Sequence, residues 1–253
     1  KGSVAMSLTQ SLNEVVKSTK DLIETVQKTY SQHDAEIQKI LKVAPDLQRT
    51  FYVDAVNGSD ENDGSAEAPF RRLAKAADLV PRHGRGYIYL LSDYHMTEPV
   101  FARDCYLMIV GNKDAYRKVT FEQYSHGTDG ADYRAFHGFR WIGSGYFNFC
   151  YLNMELPVLD PQFHGLPTSN YASIVSCTTS SHTGNQGVTF RYGDIHIPTE
   201  EEGTPAGHVL GHYSPIGVYL SNITASGAGL KERFSRNSRL GSYTMNITLD
   251  ELP

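Results

Sequence analysis

Residues 7–43 form an unbroken run without glycine or proline, so nothing in it obliges the chain to turn. Apolar or small side chains recur at Leu8, Leu12, Val15, Thr19, Leu22 and Val26, with steps of 4, 3, 4, 3 and 4. That alternation is a heptad seam, the pattern of a helix that packs along its length against other helices. The seam slips once, because Val26 to Tyr30 is a second step of 4. It then resumes through His33, Ile37, Ile40 and Ala44, as a stutter that locally unwinds a supercoil does. Val16, Ile23 and Leu41 widen the stripe. A broad seam without a β-branched and Leu division between its two positions favours three strands over two. One such helix is roughly 55 Å long at about 1.5 Å per residue. The simpler alternative is a long amphipathic helix lying on its own globular domain. The charged outer face and the near absence of aromatics favour the free-standing coiled coil. His33 on the seam is a register-setting polar residue, or a group that makes the coil sensitive to pH.

Composition changes abruptly near residue 50. Residues 1–50 hold one of the 22 glycines, one of the 11 prolines and one of the 28 aromatic residues. They carry seven basic and six acidic side chains, so the formal charge of −5 comes from −6 on the remainder. Two unlike structures are therefore joined there. A net acidic chain argues against a surface shaped throughout for nucleic acid. No stretch is apolar for long enough to cross a bilayer, and no secretory signal precedes the helix. The chain begins at Lys1 rather than at methionine, as a piece of a longer protein would. Cys105, Cys150 and Cys177 are widely spaced and odd in number, which predicts buried thiols instead of a disulfide framework or a zinc site.

From Phe51 the sequence reads as a short strand over 51–56, a turn-rich loop over 57–65, and a small amphipathic helix through Leu73, Ala76, Ala77 and Val80 that ends at Pro81. This strand, the loop Gly58-Ser59-Asp60-Glu61-Asn62-Asp63-Gly64, the Ala68-Pro69-Phe70 run and the helix together resemble the N-terminal cap of right-handed parallel β-helix proteins of the pectate-lyase-like kind. Its position directly after a coiled coil is similar to bacteriophage tail fibres and tailspikes. The resemblance implies a homotrimer joined to other virion tail proteins through its N-terminal part. It also implies a body or tip that contacts host surface polysaccharide, made in the host cytoplasm and carried on the virion tail, with no cofactor, nucleic acid or membrane insertion.

Runs rich in Tyr, Phe, Val and Ile at 86–91, 106–110, 119–124, 139–142, 146–154, 188–197, 218–224 and 243–249 predict short strands bounded by Gly, Asn, Asp or Pro. Four of them share an element with a central polar residue: Leu152-Asn153-Met154, Gly193-Asp194-Ile195, Ser221-Asn222-Ile223 and Met245-Asn246-Ile247. The expected organisation is a coiled-coil stalk over 1–50, a capped β-helix-like domain over 51–160 and a β-rich region with long loops over 161–253. A β-sandwich is the rival for residues from about 160 onwards.

Several side chains invite chemistry. Asp54, Asp60, Glu61 and Asp63 are acidic neighbours, but their spacing fails the EF-hand pattern, which leaves Asx capping of backbone amides. Glu155 and Asp160 follow the 146–154 strand beside Trp141, Tyr146, Phe149 and Tyr151, the best-placed carboxylate pair for a glycosidase. Core aromatics with loop-capping acids are the plainer account. His208 and His212 stand four apart with glycine between them, which does not make a metal helix, and no metal site is expected. The Ser-rich stretch 176–184 lacks a nucleophile elbow and reads as a loop. Asn57, Asn222 and Asn246 head glycosylation sequons, of which the last two lie inside strand runs and suit buried or laddered asparagines. Lys231, Arg233, Arg236 and Arg239 set a local charge of +3 on an acidic body. They suit a solvated loop, a subunit contact, or phosphate and uronate groups of a polysaccharide, with Phe234 and Tyr243 as flat neighbours.

The sequence therefore points to a structural and adhesive trimer on a mainly β fold, with glycan contacts at the basic segment and at Trp141 and Tyr146. A polysaccharide-degrading enzyme on the same fold, and an adhesin or carbohydrate-binding module unrelated to phage, are the alternatives.

Overall fold

The computed structural model describes residues 8–43, 47–128, 131–177, 186–211, 216–235 and 243–245. The chain divides into two units, with the boundary between Asp46 and Leu47. In the first, α1 (Leu8–Val43) is one uninterrupted helix that contains the seam positions from Leu8 to Ile40, while Ala44 lies outside the described residues. Along it Val15, Leu22, Val26 and Tyr30 are 63%, 63%, 58% and 76% exposed. Within the helix itself these apolar side chains have nothing to pack against, since one helix alone cannot bury its own stripe. Thr19, also on the seam, turns its hydroxyl back to the Val15 carbonyl at 2.8 Å.

The second unit is mainly β, and its strands pair almost entirely in parallel. β1 (Gln48–Val53) is followed by α2 (Leu73–Asp78) and then by a repeating order of long and short strands. β2 (Arg85–Leu90), β3 (Tyr94–Met96) and β4 (Val100–Arg103) make the first repeat. β5 (Tyr106–Val110) and β6 (Arg117–Phe121) follow, then the hairpin β7 (Gln123–Thr128) and β8 (Ala131–Phe136), and then β9 (Phe139–Ile142). Three longer strands, β10 (Gly145–Glu155), β12 (Gln186–Ile197) and β14 (Ile216–Gly227), alternate with the short β11 (Ser173–Cys177) and β13 (His208–Gly211). A short α3 (Leu230–Arg233) precedes β15 (Tyr243–Met245).

The first sheet runs β1-β2-β5-β10-β12-β14-β15, with β3 and β6 continuing alongside the second half of β10. The short strands form a second sheet in the order β4-β9-β11-β13. From β2 to β14 each chain passage thus crosses both sheets and returns one strand further along. Because the register is parallel, inward residues stack on their equivalents about 4.8 Å away. Ile88, Ile109, Phe149, Phe190 and Leu220 form one such buried row. Val100, Phe139, Val175 and Leu210 form the facing row on the second sheet. The rings of Phe149 and Phe190 stack at 5.2 Å, as this registration forces them to.

The long strands bend at a fixed place. Tyr151, Tyr192 and Asn222 have φ of 59°, 53° and 53°, and each falls between flanking residues that are in register. A left-handed residue redirects the strand sharply, at a cost of roughly 1–2 kcal/mol for a side chain bearing Cβ. Stacking of the Tyr151 and Tyr192 rings at 5.2 Å offsets part of that cost. A second set of such residues, His83, Asp104 and Gly143, precedes the strands β2, β5 and β10, the last two at the points where the short-strand sheet hands over to the long-strand sheet.

The free edge of β1 is closed by the segment that follows it. Tyr52 donates to the Gly64 carbonyl, Phe70 donates to Tyr52, and Asp54 donates to Phe70, all within 2.9 Å. Phe70, Leu73, Ala76 and Ala77 are buried over the core. An edge covered in this way cannot recruit further strands.

Several expectations change here. The first strand starts at Gln48 and ends at Val53, three residues earlier at both ends than the alternation suggested. The expected strand over 119–124 is split between β6 and the antiparallel hairpin, which was not foreseen, nor were β3, β4, β11 and β13. Asn153 pairs with Asp194 as the shared element requires, but Asp194 pairs with Thr224, so Asn222 stands two residues off and on the exposed bend. Residue 246 lies outside the described residues. Beyond 160 the described strands remain parallel through β12, β14 and β15, where a β-sandwich would need antiparallel pairs.

Candidate functional site

The acidic loop is capping machinery. Asp54 accepts hydrogen bonds from the Val56 and Asn57 backbone and from the Asn57 amide. Asp63 accepts from Ser65 N–H at 2.9 Å. Asp60 accepts from the backbone of Arg71 and Arg72 and from the Arg72 guanidinium, which also reaches Glu98 at 3.2 Å. Partial burial alone would raise the Asp60 carboxyl. The Arg72 hydrogen bonds and charge outweigh it and hold the group below its ordinary 3.8. A pKa lowered by folding adds stability that is present above the unfolded value and lost as pH falls through the folded one. Asp60→Asn is therefore expected to lower the stability at neutral pH by no more than about 1 kcal/mol, since the Arg72 side chain is half in solvent. The gap to the native protein should close towards pH 2, and thermal unfolding across that range checks it; a gap independent of pH would assign Asp60 no ionic role.

The carboxylates proposed for glycosidic chemistry each have structural partners. Glu155 is ion-paired with Lys118. Asp160 caps the 3-10 turn Pro161–Phe163, accepting from Gln162 N–H at 2.9 Å. Two of the expected glycan-facing aromatics are corrected: Trp141 and Phe234 are wholly buried, so neither ring can lie against a sugar in solvent. Cys105, Cys150 and Cys177 are all buried, as their spacing suggested. In the basic segment Lys231 is exposed on α3, and Arg233 lines a cleft with Glu200 and Pro205. Arg236 and Arg239 lie outside the described residues, as do His212 and most of 176–184, and Tyr243 is placed only by its backbone in β15. No group of three or more His, Cys, Asp or Glu side chains able to hold a metal ion occurs among the described residues. No described helix is long and apolar enough to cross a membrane.

Tyr146 is the predicted residue that the fold places on the wall of a groove. Its ring stacks on Tyr106 at 5.3 Å with the planes 7° apart, and its hydroxyl meets Thr189 Oγ1. Tyr106 in turn receives a hydrogen bond from the Asn148 amide at 2.7 Å, and the Arg85 guanidinium lies 5.5 Å from its ring centre. Along the register the row Arg85, Tyr106 and Tyr146 is continued by Gly187 and Gly217. Large side chains thus give way to none, and a groove of about 650 Å³ opens across these strands, with Tyr219 on its far side. A Cβ on Gly187 would strike the Tyr146 ring at 2.4 Å, whereas one on Gly217 would meet nothing nearer than 3.9 Å among the described residues. Sequence reasoning missed Tyr106, Gln186 and Tyr219 because their convergence depends on pairing across 30 to 41 residues.

The outward face on the other side of the bend is polar. Asp194 accepts from Thr224 and Ser226, and His196 lies 2.9 Å from Ser226 Oγ and 3.2 Å from Glu202. Partnered hydroxyl, carboxylate and imidazole groups in neighbouring strands make this face a cross-strand hydrogen-bond ladder. Comparison of the chain with protein-family models, with curated proteins and with solved structures found no match.

Proposed function

We propose that the protein is a homotrimeric fibre or spike component of a bacteriophage tail, in which α1 joins three chains and a right-handed parallel β-helix presents a glycan-binding surface to the host cell. The observation that carries this reading is the open heptad stripe of α1, found in one chain with a stack of parallel strands whose first edge is covered. Parallel strands joined through a crossover wind right-handed in about 98% of cases, which supports the handedness. Long strands bent at repeated left-handed residues, with a short third strand in each passage, support a helical winding over a flat sheet. The partnered states of Glu155 and Asp160 favour adhesion over cleavage.

Sedimentation equilibrium of the intact chain tests the assembly. A mass three times the 28.2 kDa chain is expected at micromolar concentration, and a monomer or dimer mass would overturn it. Incubation with surface polysaccharide tests the activity: retention on the polymer without shortening it is the expected result, and a fall in polymer length would reassign the protein to depolymerisation.

A further inference from the structure

We infer that the groove between Tyr146 and Tyr219 is the saccharide subsite, and that it takes an acidic oligosaccharide; this rests on the adhesive reading above. The groove combines the two things a pyranose needs. Tyr106 and Tyr146 form a flat aromatic wall, and Tyr219, 48% exposed, supplies a second face. Apolar sugar faces lie on such rings, while the ring edges keep their hydroxyls for polar partners.

Polar groups border the wall: the Tyr146 hydroxyl, which meets Thr189 Oγ1, and Ser144 on the rim are placed to face sugar hydroxyls. Gln186 supports the wall from within, since it is 6% exposed and its amide nitrogen donates to the Gly143 carbonyl at 3.0 Å and lies 3.5 Å from the buried Cys177 Sγ. Charge sets the class of sugar. Asp104 on the rim is engaged by Ser144 N–H at 2.9 Å and faces Arg82 at 3.8 Å. Arg85 holds its guanidinium over Tyr106, where a uronate carboxylate or another sugar-borne acid can pair with it in the two-pronged way guanidinium favours. The groove extends over several strands, so it accommodates a chain segment and not a single ring.

Gly217 makes the test clean. It lies in β14 on the groove floor, and a Cβ there would project into the groove with its nearest neighbour among the described residues, the Gln186 carbonyl oxygen, 3.9 Å away. The probe is a printed array of acidic and neutral bacterial polysaccharides, read with native protein, Gly217→Val, Tyr219→Ser and Arg85→Gln. Native protein should bind acidic members, more weakly as salt rises, because exposed charges are screened over about 8 Å at physiological ionic strength. Gly217→Val should lose at least tenfold in apparent affinity with its melting temperature not lowered and its sedimentation mass unchanged. Tyr219→Ser should weaken every bound member, and Arg85→Gln should lose the preference for acid. Native-like binding by Gly217→Val would overturn the subsite while leaving the adhesive reading intact. Failure of native protein to bind any member would overturn both. A lower sedimentation mass for Gly217→Val would overturn the subsite in favour of a contact between copies of the chain.

Discussion

Gly193→Ala is expected to lower the melting temperature of the β unit by about 6–12 °C, the shift that a loss of about 3 kcal/mol produces in a domain of some 200 residues. Gly193 follows the left-handed Tyr192 at the bend of β12, where the strand turns against its neighbour. A Cβ there would stand 2.0 Å from the Leu152 carbonyl oxygen, and that oxygen is backbone, so no flexible side chain can yield. The strain has to be taken up by moving β12 away from β10, which loosens the stacking of Phe190 on Phe149 below it. Gly217→Ala is the matched control. Its nearest neighbour among the described residues would be 3.9 Å away, and removing backbone freedom from the unfolded chain should raise stability by about 0.4–1 kcal/mol. Equal melting temperatures for the two variants would show that the bend does not constrain β12 as described.

Leu22→Asp is expected to dissociate the chains, raising the trimer dissociation constant by at least about a hundredfold. Leu22 is exposed on α1, one heptad from Val15 and close to Val26 on the same stripe. In a three-stranded coil every copy would bring a carboxylate to the axis, where an unpaired buried charge costs about 3–5 kcal/mol and each 1.4 kcal/mol is tenfold. Lys17→Asp, on the opposite side of the helix, should leave the mass unchanged. Both variants are read by sedimentation equilibrium, with far-ultraviolet circular dichroism to confirm that the β unit is intact. A trimer that survives Leu22→Asp would place assembly in the β unit and remove α1 from the role proposed for it.

The sequence alone determined the helix, the place where the chain changes character and the identity of most long strands. Each of these depends on neighbours within a few residues. A seam at steps of 3 and 4 has one periodic solution, and the loss of glycine-free sequence near residue 50 falls within a few residues of the boundary at Asp46 and Leu47. The 106–110 and 139–142 strands were legible from their β-branched and aromatic content down to the end residues. The capping role of Asp54, Asp60 and Asp63 was legible for the same reason, since most of their partners are close in the chain.

Only the tertiary structure decided register and exposure. Tyr87, Met108, Asn148, Thr189 and Tyr219 align across the sheet although they are 21, 40, 41 and 30 residues apart, because loops and one hairpin absorb the difference between passages. No local pattern encodes such unequal lengths, and so the polar element around Asn222 looked equivalent to Asp194 when Thr224 is its partner. Trp141 and Tyr146 are five residues apart with similar chemistry, yet one faces the core from β9 and the other faces the groove from β10. Which side a strand presents is set by its pairing with strands remote in sequence, and pairing is fixed only when the whole stack has closed over its core.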